Sequence, residues 1–137
     1  MSDGTEPIEL DEILYRRIHG SMHPRAGKVG PSPNAFTPNR NDTDGLSLSR
    51  ASFGTPEQEA ARGKRGVAYY VARLSHSVFI EMGLGVVPAP TADDLGHVVV
   101  PEMHSGNIKE KVTKERALKL SQSCVSIEGP FLGTREA

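Results

Sequence analysis

Between residues 20 and 45 the chain reads GSMHPRAGKVGPSPNAFTPNRNDTDG, with Pro24, Pro31, Pro33 and Pro38 set among Gly20, Gly27, Gly30 and Gly45. Proline lacks a backbone donor and fixes φ, and glycine is costly to order, so this stretch supports neither a helix nor a long strand. A connection longer than ~12–15 residues inside a compact domain is usually functional or disordered. All regular structure must therefore be built on either side of it. Phe36 is the residue suited to pin its middle to a core.

The flanking segments carry clear periodicities. Ile13-Leu14-Tyr15-Arg16-Arg17-Ile18-His19 reads as a strand with mixed faces, Leu14, Arg16 and Ile18 on one and Tyr15, Arg17 and His19 on the other. Whichever face meets the core, an arginine sits at or near it, and a buried arginine calls for an anion or a carboxylate. Leu46-Ser47-Leu48-Ser49-Arg50 alternates with period two, which sends the leucines inward. Thr55-Pro56-Glu57-Gln58 combines a capping threonine, a proline at the first helical position and a capping-box glutamine, so a helix starts at Pro56. Val67 to Ala72 is apolar, aromatic and β-branched, and suits a central strand. Ser75 is placed to cap a helix carrying Val78, Phe79 and Met82 that ends near Gly83 or Gly85. His97 to Val100 is a further strand, stopped by Pro101. From about Asn107 to Cys124, the residues Ile108, Val112, Ala117, Leu120 and Cys124 form an imperfect helical stripe opposite several lysines.

These readings give an α+β fold: a single small domain of about four short strands, near 13–19, 46–50, 67–72 and 97–100, with about three helices packed on the sheet and the long Pro/Gly-rich loop. Residues 1–12 read as a flexible acidic arm, 13–124 as the domain, and SIEGPFLGTREA, within 125–137, as a tail. The 137 residues, 36% of them hydrophobic, suffice for one core.

Charge narrows the partners. Sixteen Lys and Arg against 17 Asp and Glu give a formal net charge of −1, so no global field attracts nucleic acid or anionic lipid. The basic Arg62–Arg65 turn and the lysine face of the last helix lack interleaved aromatics for stacking on bases, which disfavours nucleic acid. Cys124 is the one cysteine; it excludes an internal disulfide, suits a reducing compartment and reads as a small core residue. The acidic, polar N-terminus lacks a signal-peptide pattern and no window approaches ~18 apolar residues, so a cytoplasmic protein off the membrane is expected. No metal is expected. His19 and His23 share a face only on a helix, which Gly20 and Pro24 oppose, and no carboxylate completes a site with them, His97 or His104. No cofactor is expected either, because Gly83-Leu84-Gly85 and Gly63-Lys64-Arg65 lack the dinucleotide and Walker patterns.

The chemistry-bearing constellation is Arg16, Arg17 and His19 on the first strand with Ser47, Ser49 and Arg50 on the second. Were those strands neighbours, the arginines would bind phosphate bidentately and the serines would orient a sugar or phosphate oxygen. The leading expectation is a cleft that binds, and in one version processes, a phosphate-bearing small molecule or nucleotide. The bland counterpart is an ordinary half-exposed strand whose arginines meet surface carboxylates. A different class of function also stands open: a non-catalytic protein-interaction or regulatory, immunity-type module presenting the 20–45 loop and the C-terminal helix. On either reading the loop has a third option, folding back over the polar cluster as a lid.

Arg16 to His19 (RRIH), the PSPNAF segment at 31–36 and DGLSLSR at 44–50 resemble a group of small, uncharacterised bacterial proteins, loosely through residue 100. That resemblance implies one compact unit and carries no activity. Arg17, then Ser47-Leu48-Ser49, then Glu102 also resemble, in their order, the ADP-ribosyltransferase-like folds. The resemblance implies that Arg17 would hold a dinucleotide, Ser49 support the site and Glu102 stabilise an oxocarbenium-like transition state.

Overall fold

The computed structural model describes residues 3–22 and 30–136. His23, Pro24 and the rest of the 23–29 part of the long connection lie outside the described residues. Six strands form one antiparallel sheet: β1 (Ile13–His19), β2 (Leu46–Arg50), β3 (Ala68–Ser75), β4 (Val87–Pro88), β5 (His97–Val100) and β6 (Ser126–Leu132). Their spatial order is β4-β5-β2-β1-β3-β6. Three helices accompany them: α1 (Pro56–Ala61), α2 (His76–Glu81) and α3 (Lys111–Ser121). The molecule is thus a small mixed α/β domain.

Side-chain parity sorts the two faces. Leu14 and Ile18 of β1, Leu46 and Leu48 of β2, Ala72 and Leu74 of β3 and Val98 and Val100 of β5 share one buried face, closed by Phe79, Met103, Ala117 and Leu120. The opposite face holds a smaller cluster of Tyr15, Val71 and Ala60 under α1. Because α1 is six residues long, it covers part of that face and leaves the rest open. Its start follows the sequence signal: Thr55 Oγ1 accepts from Gln58 N at 3.2 Å, and Gln58 Oε1 accepts from Thr55 N at 2.8 Å. Ser75 caps α2 by accepting from Ser77 N, and Gly83, at φ 75°, takes the left-handed turn that ends it.

The sequence reading of the sheet needs correcting at its margins. It expected about four strands, and β4 and β6 make six. The supposed tail is an edge strand, with Ala72 opposite Ile127 and Tyr69 opposite Phe131. Its Gly129-Pro130 dipeptide reads as loop punctuation, yet an outermost strand has one side free of ladder bonds and tolerates proline there. Gly129, at φ 123°, lies where the register with β3 shifts. The acidic arm is docked: His76 N donates to the Glu12 carbonyl at 2.9 Å, and Gly4 lies so close to the Leu95 carbonyl that a Cβ would collide with it. In α3 the buried stripe is Thr113, Ala117, Leu120 and Ser121, while Val112 is exposed. The helix begins only at Lys111, after a separate turn at Ser105–Asn107, so the phase expected from Ile108 does not apply.

The long connection folds onto the body. Pro33–Phe36 forms a 3-10 turn in which the Ser32 hydroxyl accepts from Asn34 N, and Phe36 enters the main core fully buried beside Ala117 and Leu120. Replacing a buried phenylalanine by alanine typically costs about 3–5 kcal/mol. Phe36→Ala is therefore expected to lower the stability by that amount in urea denaturation, more than any change to the exposed Leu10 or Val125.

Candidate functional site

β1 pairs with β3 along all seven residues from Ile13 to His19, but with β2 only at Leu14↔Arg50 and Tyr15↔Ser49. Beyond Tyr15 the two central strands part. A cleft of about 630 Å³ occupies the opening, lined by Arg16, Arg17 and His19 from β1 and by Ser47 and Ser49 from β2. The long connection supplies another wall through Asn34, Ala35, Thr37 and Asn39, and Glu59, Arg62, Tyr69, Asp93, Asp94, His97 and Arg135 complete the rim. That size falls in the range of small-molecule sites.

Arg16 occupies the core-facing row between Leu14 and Ile18. Its Nε donates to the Ala35 carbonyl at 2.8 Å and its NH1 to the Ser47 carbonyl at 2.8 Å. The expected carboxylate partner is replaced by two neutral backbone acceptors. Burial pulls the guanidinium pKa below its ordinary value, and the charge of Asp42 opposes this. Arginine remains cationic at neutral pH nonetheless.

Arg17 lies on the other face. It donates to the Glu59 carbonyl at 3.3 Å, sits 3.6 Å from Glu59 Oε1 and stacks 5.6 Å over the Tyr69 ring. Glu59 is buried and also takes Arg62 NH1 at 2.6 Å. Arg62 continues to the Asp93 carbonyl at 3.3 Å and to Asp94 Oδ1 at 3.6 Å. Asp94 in turn accepts from Ser49 Oγ at 2.5 Å and Gly96 N at 3.0 Å. One chain of charge-assisted contacts thus ties β1, α1, the turn before β5 and β2 together. Ser47 Oγ donates to Asp42 at 3.1 Å.

Two histidines face the same cleft. His19 Nδ1 accepts from Ser21 N at 3.2 Å, and its ring meets Tyr69 edge-on at 6.0 Å. His97 Nδ1 lies 2.8 Å from the Ala89 carbonyl.

Of the residues singled out from sequence, Arg16, Arg17, His19, Ser47 and Ser49 converge here. Arg50 does not. It belongs by parity to the row of Leu46 and Leu48, and it clamps the N-terminal segment: Nε to Glu12 Oε2 at 2.5 Å, NH2 to Glu12 Oε1 at 2.9 Å and NH1 to the Glu6 carbonyl at 2.8 Å. Glu102 lies outside the cleft, in the turn after β5, where its carboxylate accepts from Gly85 N at 3.0 Å. The arrangement that the ADP-ribosyltransferase resemblance requires, with Glu102 facing Arg17 and Ser49, is therefore not formed. Sequence reasoning missed Glu59, Asp94, Tyr69 and His97 as cleft residues. A parity count would have found His97, since it is the register partner of Ser49.

Ser49 Oγ donates to the Asp94 carboxylate, and burial pushes the Cys124 thiol up to about 11. Among the described residues no group of three His, Cys, Asp or Glu is placed to hold a metal ion, and no helix is long and apolar enough to cross a membrane. The geometry defines a small α/β domain with a guanidinium-lined cleft between its two central strands. No family model, curated protein or solved structure matches the chain.

Two outcomes follow from these contacts. Arg50→Ala leaves the Glu12 carboxylate, largely buried, without its cation, which typically costs about 3–5 kcal/mol and should be read directly in urea melts. Cys124, with its pKa raised from 9.0 to about 11, should be alkylated at pH 8 roughly a hundredfold more slowly in the folded protein than in the urea-unfolded chain.

Proposed function

We propose that the cleft binds a phosphate-bearing small molecule of up to nucleotide size. The observation that carries this reading is Arg16: a guanidinium lining the cleft whose acceptors among the described residues are two carbonyl oxygens and no carboxylate. Of its five N–H groups, those two bonds leave most of NH1 and NH2 unspent. An arriving phosphate gains a bidentate, charge-assisted contact and at the same time balances a buried positive charge.

The rest of the rim supports the reading. Four guanidinium groups, of Arg16, Arg17, Arg62 and Arg135, line the cleft with three carboxylates, of Glu59, Asp93 and Asp94, while the Asp42 carboxylate stands behind Ser47, so the guanidinium groups are concentrated there in a chain that is near neutral. Arg62 is consumed by Glu59 and Asp94, whereas Arg135 makes no ion pair among the described residues. The interaction-module alternative draws less support, because Ala35 and Phe36 of the long loop are buried in the body instead of being displayed.

Thermal-shift and calorimetric titrations with inorganic phosphate, pyrophosphate and adenosine monophosphate test the reading. The wild-type protein is expected to be stabilised by at least one of them, with binding weakened by salt. Arg16→Lys keeps the charge and loses the fork, so affinity should fall about tenfold; Arg16→Met should abolish binding, and should cost about 1–3 kcal/mol because two carbonyls lose their donor. Failure of all three anions to bind the wild type, or undiminished binding by a folded Arg16→Met variant, overturns it.

A further inference from the structure

Resting on that phosphate reading, we infer that the ligand also presents a hydroxyl group to His97, which makes it a phosphorylated sugar or nucleoside and not a bare phosphate. The inference begins with a proton. A carbonyl oxygen can only accept, so the 2.8 Å contact between His97 Nδ1 and the Ala89 oxygen puts a hydrogen on Nδ1. In the uncharged ring Nε2 then carries the lone pair. No other hydrogen bond engages the ring among the described residues.

The segment that carries the ring is anchored. Ala89 N donates to the His97 carbonyl at 2.8 Å and His97 N to the Asp94 carbonyl at 3.2 Å, so the backbone on both sides of the imidazole is fixed. The serines that first suggest themselves as sugar ligands are already engaged, Ser47 with Asp42 and Ser49 with Asp94. Arg16 and Arg17 offer only donors. Of the two histidines lining the cleft, His19 already accepts from Ser21 N at Nδ1, so His97 Nε2 is the ring nitrogen left to accept, alongside the side-chain oxygens of Asn34, Thr37 and Asp93 in the same lining.

Distance along the sheet suits the pairing. His97 is the register partner of Ser49, and the Arg16 fork is seated on the carbonyl of Ser47, two residues further along β2. With strands ~4.8 Å apart and ~3.4 Å per residue, the anchor and His97 are separated on the backbone by on the order of 8 Å. By parity Arg16 leaves β1 on the core side and His97 leaves β5 on the side of Ser49, and both line the cleft, Arg16 by turning its guanidinium to the Ser47 carbonyl where the two central strands part. A site built to hydrogen-bond a hydroxyl discriminates against an analogue that lacks it, because the acceptor covered by the ligand is left unmatched.

The test compares three probes by calorimetry: inorganic phosphate, ribose 5-phosphate, and tetrahydrofurfuryl phosphate, which keeps the ring and the phosphate ester but has no ring hydroxyls. Wild-type protein should bind ribose 5-phosphate at least about tenfold more tightly than tetrahydrofurfuryl phosphate. His97→Asn retains a side-chain N–H for the Ala89 carbonyl and removes Nε2. In that variant the preference should collapse to within about twofold, with the affinity for inorganic phosphate unchanged. A purely structural role for His97 predicts the opposite, a preference that survives His97→Asn, and that result overturns the inference. Equal binding of both esters by the wild type overturns it too while leaving the phosphate reading intact, and no binding of any probe removes both. Should His97→Asn fail to fold, nitrogen-15 NMR of the wild type decides. The Nε2 resonance of the Nδ1–H tautomer must move on adding ribose 5-phosphate and stay in place on adding tetrahydrofurfuryl phosphate; a resonance that ignores the sugar rejects the inference.

Discussion

The structure turns on a cation in a row meant for hydrocarbon. Arg16 stands between Leu14 and Ile18 on the core side of a central strand, and its guanidinium is satisfied by the carbonyls of Ala35 and Ser47. A guanidinium needs acceptors and room. The carbonyl it takes from β2 lies in the part of the strand where registered pairing with β1 has stopped, and the carbonyl it takes from the loop draws Ala35 and Phe36 in against the body. Opening, wall and anchor therefore come from one residue.

Around that opening the charges are ordered, not merely abundant. Glu59 is shared between Arg17 and Arg62, and Asp94 between Arg62, Ser49 and a backbone amide. Each carboxylate has several donors, which is what allows it to be buried. The result is a rim whose geometry is set by its own contacts. Arg50 shows the contrasting use of the same side chain: fully engaged by Glu12 and by the Glu6 carbonyl, and packed 5.3 Å over Phe53, it fastens the chain terminus and has nothing left for a ligand.

How much of this was readable beforehand depended on how local the signal was. The boundaries of β1, β2 and β5 and the start of α1 follow from alternation and capping within a few residues, and Phe36 is the one aromatic in a stretch that otherwise cannot hold itself in place. β6 was hidden because Gly129 and Pro130 signal a turn unless one knows that the strand is outermost. The phase of α3 was hidden because Val112 suits a buried stripe as well as Thr113 does, and only packing decides between them. For the cleft, the five residues on β1 and β2 were legible because neighbouring strands bring their rows together. Glu59, Arg62 and Asp94 were not, since nothing along the chain links a helix end at 59–62 to a turn at 93–94. Arg50 was grouped with the serines although its even position sets it with the leucines.

The outermost strands have a property in common. β4 spans Val87–Pro88 and β6 contains Pro130, so each margin of the sheet carries a residue with no amide hydrogen. An incoming chain that tried to extend the ladder would find a missing rung on either side. Growth into stacked fibrils is thereby discouraged at both ends of the sheet, by the same residue type at each margin.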